Sequence, residues 1–323
     1  MVKAVRVHRP GGPEVLQVED IDLAPPGPGE VQIRHRAIGV NYIDIYRRTG
    51  AYPAELPFIP GHEGAGEVVA LGSGVTEFEE GDRVAYVGPL GGYCEARNIA
   101  ADALIHIPKW MSFETAAVMM LKGLTAQYLL RRTHKVKRGD RILVHAGAGG
   151  VGQILCQWGA ALGAKVIATV GSPEKAEIAR NAGAKHAILY REEDFVARIK
   201  ELTKGRLCDV VYDGVGQATF PASLDCLAPF GLFVSFGSAS GPIAAFDMGL
   251  LAQKGSLFAT RPSLFNHIAK RADYEDMAHD VVRAIKRGLI DIDTPTARPL
   301  DAAAQVHAEL ESRATTGSIV LIP

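Results

Sequence analysis

The sequence predicts an α/β fold: a doubly wound parallel sheet of six strands, carried with a β-rich domain that forms a partly closed barrel. Three observations lead to this expectation. From Arg141 onward, short apolar runs alternate with helical stretches, the pattern of a parallel sheet whose crossovers cover both faces. A glycine-rich turn, Gly147 to Gly152, joins the first of those runs to the first of those helices. Before residue ~120, the apolar segments are instead short, rich in Val and Ile, and punctuated by Gly and Pro, as in small closed β architectures.

Strands are expected first at Val2–Val7, Val15–Leu23, Val31–Val40, Gly66–Leu71, Arg83–Val87 and Leu104–Ile107, several of which alternate apolar with polar. The period then changes: Phe113, Ala116, Ala117, Met120, Leu124 and Tyr128 recur at helical spacing within Phe113–Arg132. The parallel sheet takes Arg141–Ala146, Lys165–Val170, His186–Tyr190, Asp209–Tyr212, Gly231–Phe236 and Leu257–Thr260, with Val151–Leu162 and Glu192–Leu202 among its helices. After Pro262 the alternation stops. A helix near Tyr274–Arg287 ends at Gly288, where a left-handed residue closes a helix without a Cβ penalty. A second helix near Ala302–Arg313 and a strand, Ser318–Ile322, complete the chain. This tail is expected to return to the first domain. The domains therefore read 1–122 with 262–323 for the β-rich part and 123–261 for the parallel sheet.

With 323 residues the chain can build two cores, and 47% hydrophobic with 22% charged residues is a globular mix. A net charge of −1 argues against nucleic acid or an anionic membrane as the main partner. None of the four cysteines, Cys94, Cys156, Cys208 and Cys226, stands in a C-x-x-C pair. That excludes a zinc knuckle and a dithiol motif, and free thiols suit the cytoplasm. The opening MVKAVRVHRPGG alternates like a strand and has no apolar signal core. Two stretches, Ile142–Ala164 and Cys226–Phe246, lack charge for more than 20 residues, the length of a membrane span. Glycines cut both, and Pro229 and Pro242 cut the second, so buried strands and turns are expected instead.

The strongest local signal is His145-Ala-Gly-Ala-Gly-Gly-Val-Gly152, which contains G-x-G-x-x-G as Gly147, Gly149 and Gly152. Between a strand and a helix this is a dinucleotide fingerprint, because glycines let a pyrophosphate approach the free N–H groups of the helix start. An NAD site carries an acid after the second strand. Here VIATV runs into Gly171-Ser172-Pro173-Glu174-Lys175. A hydroxyl and a cation stand where the acid is expected, and the 2′-phosphate of NADPH would relieve the penalty of a cation in a first helical turn. NADPH is therefore the expected cofactor. Glu174 is a complication that a solvent-facing second helical position resolves. Ser172 as N-cap and Pro173 as first helical residue account for the same segment without a ligand, and both accounts can hold together.

The segment Pro60-Gly-His-Glu-Gly-Ala-Gly66 resembles the G-H-E signature of medium-chain alcohol dehydrogenases. In the zinc members, the His and two cysteines hold the metal. Here Asn41 stands near the first cysteine position, and MLKGLTAQY near the second. Amide and aliphatic groups are poor partners for Zn²⁺. His62 is expected as a hydrogen-bonded scaffold residue, and no metal is expected.

Over essentially its whole length the chain resembles the quinone oxidoreductases, the ζ-crystallin-like, zinc-free branch of the medium-chain dehydrogenase/reductases. The matching stretches are GVNYIDIYRRTGAY, LKGLTAQYLLR, HAGAGGVG, CDVVYDGVG, QKGSLFATRPSL and ESRATTGSIVLIP. The resemblance implies a Rossmann domain beside a GroES-like β-barrel, a homodimer, and hydride transfer from NADPH to a quinone; it leaves single-electron delivery open. It implies cofactor contacts from Asn41, Tyr42, Ile43, Asp44 and Ile45, and from Tyr128. Gly150 and Val151 would meet the pyrophosphate beside Gly147, Gly149 and Gly152, with Gly171, Ser172 and Lys175 at the 2′-phosphate. Tyr190 would lie by the adenine with Gly214 nearby. Phe236, Gly237, Ser238 and Ala239, with Arg261, Pro262 and Ser263, would close over the rest, and Arg313 would reach back. Plain alternatives stand beside three of these: Tyr190 as a strand-end aromatic, Arg313 as a helix C-terminal cation, and Tyr128 as a packing residue. The fingerprint is commonly HAAAGGVG in the family, so Gly147 is a small-residue swap expected to be tolerated. Asn41, Tyr46 and Tyr52 are the candidates to bind or polarise the acceptor's oxygen, with Asp44 to organise them. The rival readings are reduction of an enone's activated C=C, a metal-dependent alcohol dehydrogenase, and a crystallin-like or AU-rich RNA-binding role.

Overall fold

Period-two alternation gives the first third of the chain its strands. In β1 (Val2–Val7) the inward residues include Val5 and Val7, and in β3 (Glu30–Gly39) they are Val31, Ile33, His35 and Ala37. β1 pairs antiparallel with β2 (Leu16–Ile21). The short helix α1 (Tyr42–Arg48) follows β3 and precedes β4 (Glu63–Leu71), β5 (Arg83–Val87), β6 (Ala96–Ala100) and β7 (Leu104–His106). Helix α2 (Phe113–Tyr128) then ends in a π-helical turn, Leu129–Thr133. The structure, a computed structural model, describes residues 1–292, 294–312, 315 and 317–323. It divides into two units, Met1–Leu121 with Ile292–Pro323, and Lys122–Asp291.

The second unit alternates as the sequence predicts. Its elements are β8 (Arg141–His145), α3 (Gly150–Ala161), β9 (Lys165–Val170), α4 (Pro173–Asn181), β10 (His186–Leu189), α5 (Phe195–Leu202), β11 (Cys208–Asp213) and β12 (Leu227–Ser235). They are followed by α6 (Gly249–Gln253), β13 (Phe258–Thr260), α7 (Leu264–His267) and α8 (Arg271–Lys286). The six strands pair in parallel in the order β10-β9-β8-β11-β12-β13. The chain builds outward from β8 to β10, returns to the middle, and builds the other way. The reversal lies between β8 and β11, and ligands of such sheets bind outside the carboxyl ends of the strands at that point. Leu143, Ile167, Ile188, Val211 and Phe233 from five of the strands share one core with Ile199 of α5.

The chain then returns to the first unit as β14 (Thr296–Pro299), α9 (Ala303–Glu311) and β15 (Ile319–Ile322). β15 pairs antiparallel with β3, giving a seven-stranded sheet ordered β14-β15-β3-β4-β5-β7; β6 pairs with the first half of β3 on the edge that β15 takes at its end, opposite β4. Leu300, Val306, Ile319 and Leu321 are buried in one core with Val5, Val7 and Ile38. The return thus begins at Ile292, not at Pro262 as the sequence suggests. Polar pairing keeps α8 in the second unit: Gln127 donates to Asp280 at 3.2 Å and Arg132 to Asp273 at 2.7 Å. The two uncharged stretches resolve into β8 with α3, and β12 with its following loop. Among the described residues, no helix is long and apolar enough to cross a membrane.

Candidate functional site

In the first unit the candidate residues gather at the start of α1. Asn41 is the N-cap, with extended backbone and 5% of its surface exposed. Its Nδ2 donates to Glu63 Oε1 at 2.7 Å, and the Leu121 N–H donates to Glu63 Oε2 at 2.6 Å. Glu63 is fully buried, so these charge-assisted bonds offset part of its desolvation. Gly39 makes the room: a Cβ there would stand 2.4 Å from Glu63 Oε1 and 2.5 Å from the Ala117 carbonyl oxygen. Asp44, at the third helical position, accepts the Asn41 N–H at 2.9 Å, one arm of a capping box. Its carboxyl group is also fully buried and accepts from the Tyr93 hydroxyl at 3.1 Å. Asp44 therefore organises its neighbours and has no surface for an acceptor.

The tyrosines beside it differ. Tyr46 and Tyr52 are half-buried, with ring centroids 5.1 Å apart, and Tyr42 lies 6.3 Å from Tyr46. Tyr42 donates to the Leu310 carbonyl of α9 at 2.8 Å. Ile45 is buried and Ile43 half-buried. His62 donates from Nδ1 to the Gly88 carbonyl at 2.8 Å, and burial lowers its pKa, as a scaffold histidine requires. Among the described residues, no group of three or more His, Cys, Asp or Glu is placed to hold a metal ion. Near His62 stand an amide already donating to a carboxylate and a carboxylate already accepting two N–H groups, a donor set that fits hydrogen bonding and not Zn²⁺.

In the second unit the candidates lie at the carboxyl ends of the strands. After β8, Ala146 takes φ 54°, a left-handed conformation that costs a non-glycine residue energy and recurs at ligand sites. Gly149 caps α3, so the N–H groups of Gly150, Val151 and Gly152 open the first turn, where an anion is favoured. A Cβ at Gly152 would stand 2.2 Å from the Ala146 carbonyl oxygen, so glycine is what lets the loop fold against the helix. At Gly147 a Cβ would meet the Ala168 Cβ at 2.5 Å. An alanine there would require the Ala168 side chain on β9 to shift, whereas the glycine this chain carries leaves β9 in place.

Ser172 is the N-cap of α4 and Pro173 its first residue, as read from the sequence; Ser172 Oγ accepts the Lys175 N–H at 3.4 Å. The Ser172 hydroxyl bonds the Glu174 carboxylate, which holds that carboxyl below its usual pKa. Tyr190 is 43% exposed, and its hydroxyl would lie 3.0 Å from a Cβ on Gly171. After β11, Gly214 lies against the Phe236 ring, and the Ala239 N–H donates to the Gly214 carbonyl at 3.2 Å. Arg261, exposed at the end of β13 and followed by Pro262 and Ser263, donates to Ser235 Oγ at 2.9 Å and to the Gly237 carbonyl at 3.3 Å, beside Ser238. Tyr128 is not brought to this edge in an accessible form. It is 2% exposed and stacks on His267 with centroids 4.5 Å apart, the packing alternative that its helical stripe suggests. Arg313 lies outside the described residues.

Sequence reasoning missed a buried network that ties these strand ends together. His145 contacts Thr169 Oγ1 through Nδ1 at 2.8 Å and Ser223 Oγ through Nε2 at 3.0 Å. Ser223 donates to Asp213 Oδ2 at 3.1 Å, as Thr219 does at 2.6 Å, while Asp213 Oδ1 accepts the Val215 and Gly216 N–H groups at 2.8 and 2.9 Å. The Thr219 carbonyl, 3.0 Å from Ser223 Oγ, is a second acceptor for the same hydroxyl; with its one proton given to either of these two acceptors, Ser223 accepts from His145 Nε2–H. The histidine is thus no base toward the serine, and burial lowers its pKa. Together with Thr169 of β9, His145, Ser223 and Asp213 tie β8, β9 and β11 together and are no nucleophilic triad. Glu63 and Tyr93 were missed as well. For Glu63 the available signal was its place after His62; for Asp213 it was the turn Asp-Gly-Val-Gly closing a strand.

Two family patterns match the chain, the alcohol dehydrogenase GroES-like domain over residues 27–138 and the zinc-binding dehydrogenase over residues 150–282. The chain is 52% identical to the quinone oxidoreductase of Pseudomonas aeruginosa, with 100% of both chains covered. It superposes on the crystal structure of Escherichia coli quinone oxidoreductase complexed with NADPH with a TM-score of 0.97, at 48% identity over 99% of this chain and 100% of that one. A 2-haloacrylate reductase from Burkholderia sp. is 43% identical over 100% of this chain and 99% of its own. The chain therefore belongs to the quinone oxidoreductase family of the medium-chain dehydrogenase/reductase superfamily.

Proposed function

We propose that this chain is an NADPH-dependent quinone reductase that transfers hydride without a catalytic metal. The observation that carries the reading is its 52% identity, over its full length, to a quinone oxidoreductase. When bound, NADPH supplies the hydride, two electrons and one proton, and the protein supplies binding and orientation. The N–H groups of Gly150, Val151 and Gly152 take the pyrophosphate, Gly149 gives it clearance, and Gly147 lets the loop pack against Ala168 of β9. Ser172 and Lys175, beside Gly171, take the 2′-phosphate; no acid at the end of β9 competes for a ribose hydroxyl. Tyr190 and Gly214 flank the adenine end, and Phe236–Ala239 with Arg261–Ser263 hold the remainder. In the first unit, Asn41, Tyr46 and Tyr52 bind and polarise the acceptor oxygen. Asp44 fixes Asn41, and Tyr42, Ile43 and Ile45 shape the nicotinamide side. The second proton of the hydroquinone comes from water, since the reduced oxygens need no dedicated acid.

The 2-haloacrylate reductase favours a second reading, reduction of an activated C=C by the same cofactor residues with a different acceptor. Following NADPH and NADH consumption against quinones, enones and alcohols, with and without a chelator, tests both. Turnover of quinones with NADPH, unchanged by the chelator, is expected. Turnover of enones alone would install the second reading, and loss on chelation would overturn the metal-free one.

The homodimer and the cytoplasmic setting belong to the same proposal. β13 is an edge strand of the parallel sheet, and Phe258 on it is 60% exposed, as are Phe230 (71%) and Met248 (69%) in the same unit. An open edge with apolar side chains favours pairing with a second copy. All four cysteines are free and buried, with thiol pKa values raised by burial, which suits a reducing compartment.

A further inference from the structure

The start of α1 lies at one end of a buried chain of hydrogen bonds whose far members, Tyr93, His307 and Arg48, have no part in the proposed chemistry. Arg48, in the last turn of α1, is fully buried. It donates to Glu311 at 2.7 Å, to the Gly11 carbonyl at 3.1 Å, and to His307 Nδ1 on α9 at 3.3 Å. A guanidinium has donors only, so Nδ1 is the unprotonated nitrogen of His307 and the proton sits on Nε2. His307 Nε2 lies 3.0 Å from the Tyr93 hydroxyl, which accepts there and donates onward to Asp44 at 3.1 Å. Asp44 in turn holds the Asn41 N–H. Every donor points the same way, from a buried cation through two neutral groups to a buried carboxylate.

We infer that Tyr93 and His307 are positioning residues for acceptor reduction: through Asp44 they fix Asn41 at the start of α1. The inference rests on the reading of Asn41 as an acceptor-binding residue. Neutralising Arg48 does not call for these links, because Glu311 already provides a counter-charge at 2.7 Å. What the links add is a rigid hold on Asp44, made by residues 49 and 214 positions apart from their partners along the chain. Burial keeps His307 neutral, its pKa pushed down to about 3, and lifts the Tyr93 phenol well above its usual value. The order of donors therefore persists across neutral pH, as a fixed strut requires, and no proton is released from it to the acceptor.

The test compares Tyr93→Phe, His307→Leu and His307→Gln in the full-length protein. It measures kcat and KM with NADPH and 1,4-benzoquinone, NADPH affinity by titration, and the thermal midpoint. Tyr93→Phe removes one hydroxyl at constant shape and should lower kcat by about tenfold, the scale of a displaced reacting geometry, with NADPH affinity within about twofold. His307→Leu should do the same. His307→Gln, whose amide offers a donor nitrogen and an acceptor oxygen, should recover most of the lost kcat. Should His307→Leu fail to fold, Tyr93→Phe and His307→Gln decide. A lowered thermal midpoint with kcat retained in Tyr93→Phe overturns the inference and leaves a merely structural network. A wild type that consumes no NADPH with quinones overturns the functional reading first, and this inference with it.

Discussion

Lys175→Ala separates the two phosphorylation states of the cofactor. Lys175 is the third residue of α4, in the turn that Ser172 caps. A charge-assisted hydrogen bond to a phosphate is worth about 1.5–3 kcal/mol. At about 1.4 kcal/mol per factor of ten, NADPH affinity should fall roughly 10- to 150-fold. NADH lacks the 2′-phosphate and should bind within about twofold of wild type. Glu174 supplies an opposite control: it holds the Ser172 hydroxyl that a phosphate would have to claim. Glu174→Gln should therefore tighten NADPH a few-fold and leave NADH alone. Calorimetric titration of both nucleotides at physiological salt, with far-ultraviolet dichroism to establish folding, gives the result directly. Equal weakening of both nucleotides by Lys175→Ala, or unchanged NADPH affinity, would refute the assignment of the 2′-phosphate to this helix start.

Gly152→Ala drives a Cβ to 2.2 Å from the Ala146 carbonyl oxygen; overpacking of this kind costs about 1–3 kcal/mol. It should show as a lower urea midpoint together with loss of NADPH binding. His35 and His307 are buried and neutral, their pKa values pushed from 6.5 down to about 3 by burial. Between those values the unfolded chain binds more protons than the folded one. Stability therefore falls as pH drops below about 6.5, by about 1.4 kcal/mol per unit for each histidine. Urea unfolding across that range should show the slope, and His307→Gln should remove one histidine's share; an unchanged slope would mean that His307 takes up its proton within the fold. Phe258→Lys places a charge on the open edge of β13 and should yield monomers in analytical ultracentrifugation, whereas a dimer that persists unchanged would move the interface elsewhere.

Most of the parallel sheet was legible because its strands are buried on both faces and stand in the sequence as apolar runs between glycines. Ser172 was legible as a cap for the same local reason: its partner is three residues away. Helix α1 was not. Tyr42, Ile43, Ile45 and Tyr46 mix alternating and helical spacing within seven residues, and what settles the matter is a cap, Asn41, held by Asp44 and by Glu63, 22 residues further on. The place where the chain returns was misread for a related reason. Helix α8 looks like any amphipathic helix, and its unit is set by pairs such as Arg132 with Asp273, 141 residues apart. Local chemistry can be read along a chain; polar partners that distant cannot.

The late return of the chain also sets an order of assembly during synthesis. The second unit is complete once Asp291 has left the ribosome. The first unit has been waiting since Leu121, because its core lacks Leu300, Val306, Ile319 and Leu321 and its β3 lacks β15. At about 5–20 residues per second, that wait lasts roughly 10–40 s. During it, β3 offers an unpaired edge at Ile38 and Gly39, and Arg48 has neither His307 nor Glu311. The nascent chain should therefore carry a folded nucleotide-binding unit while its first 121 residues still expose apolar surface. A chaperone that binds extended apolar segments would find its substrate there, at the half of the molecule made first and finished last.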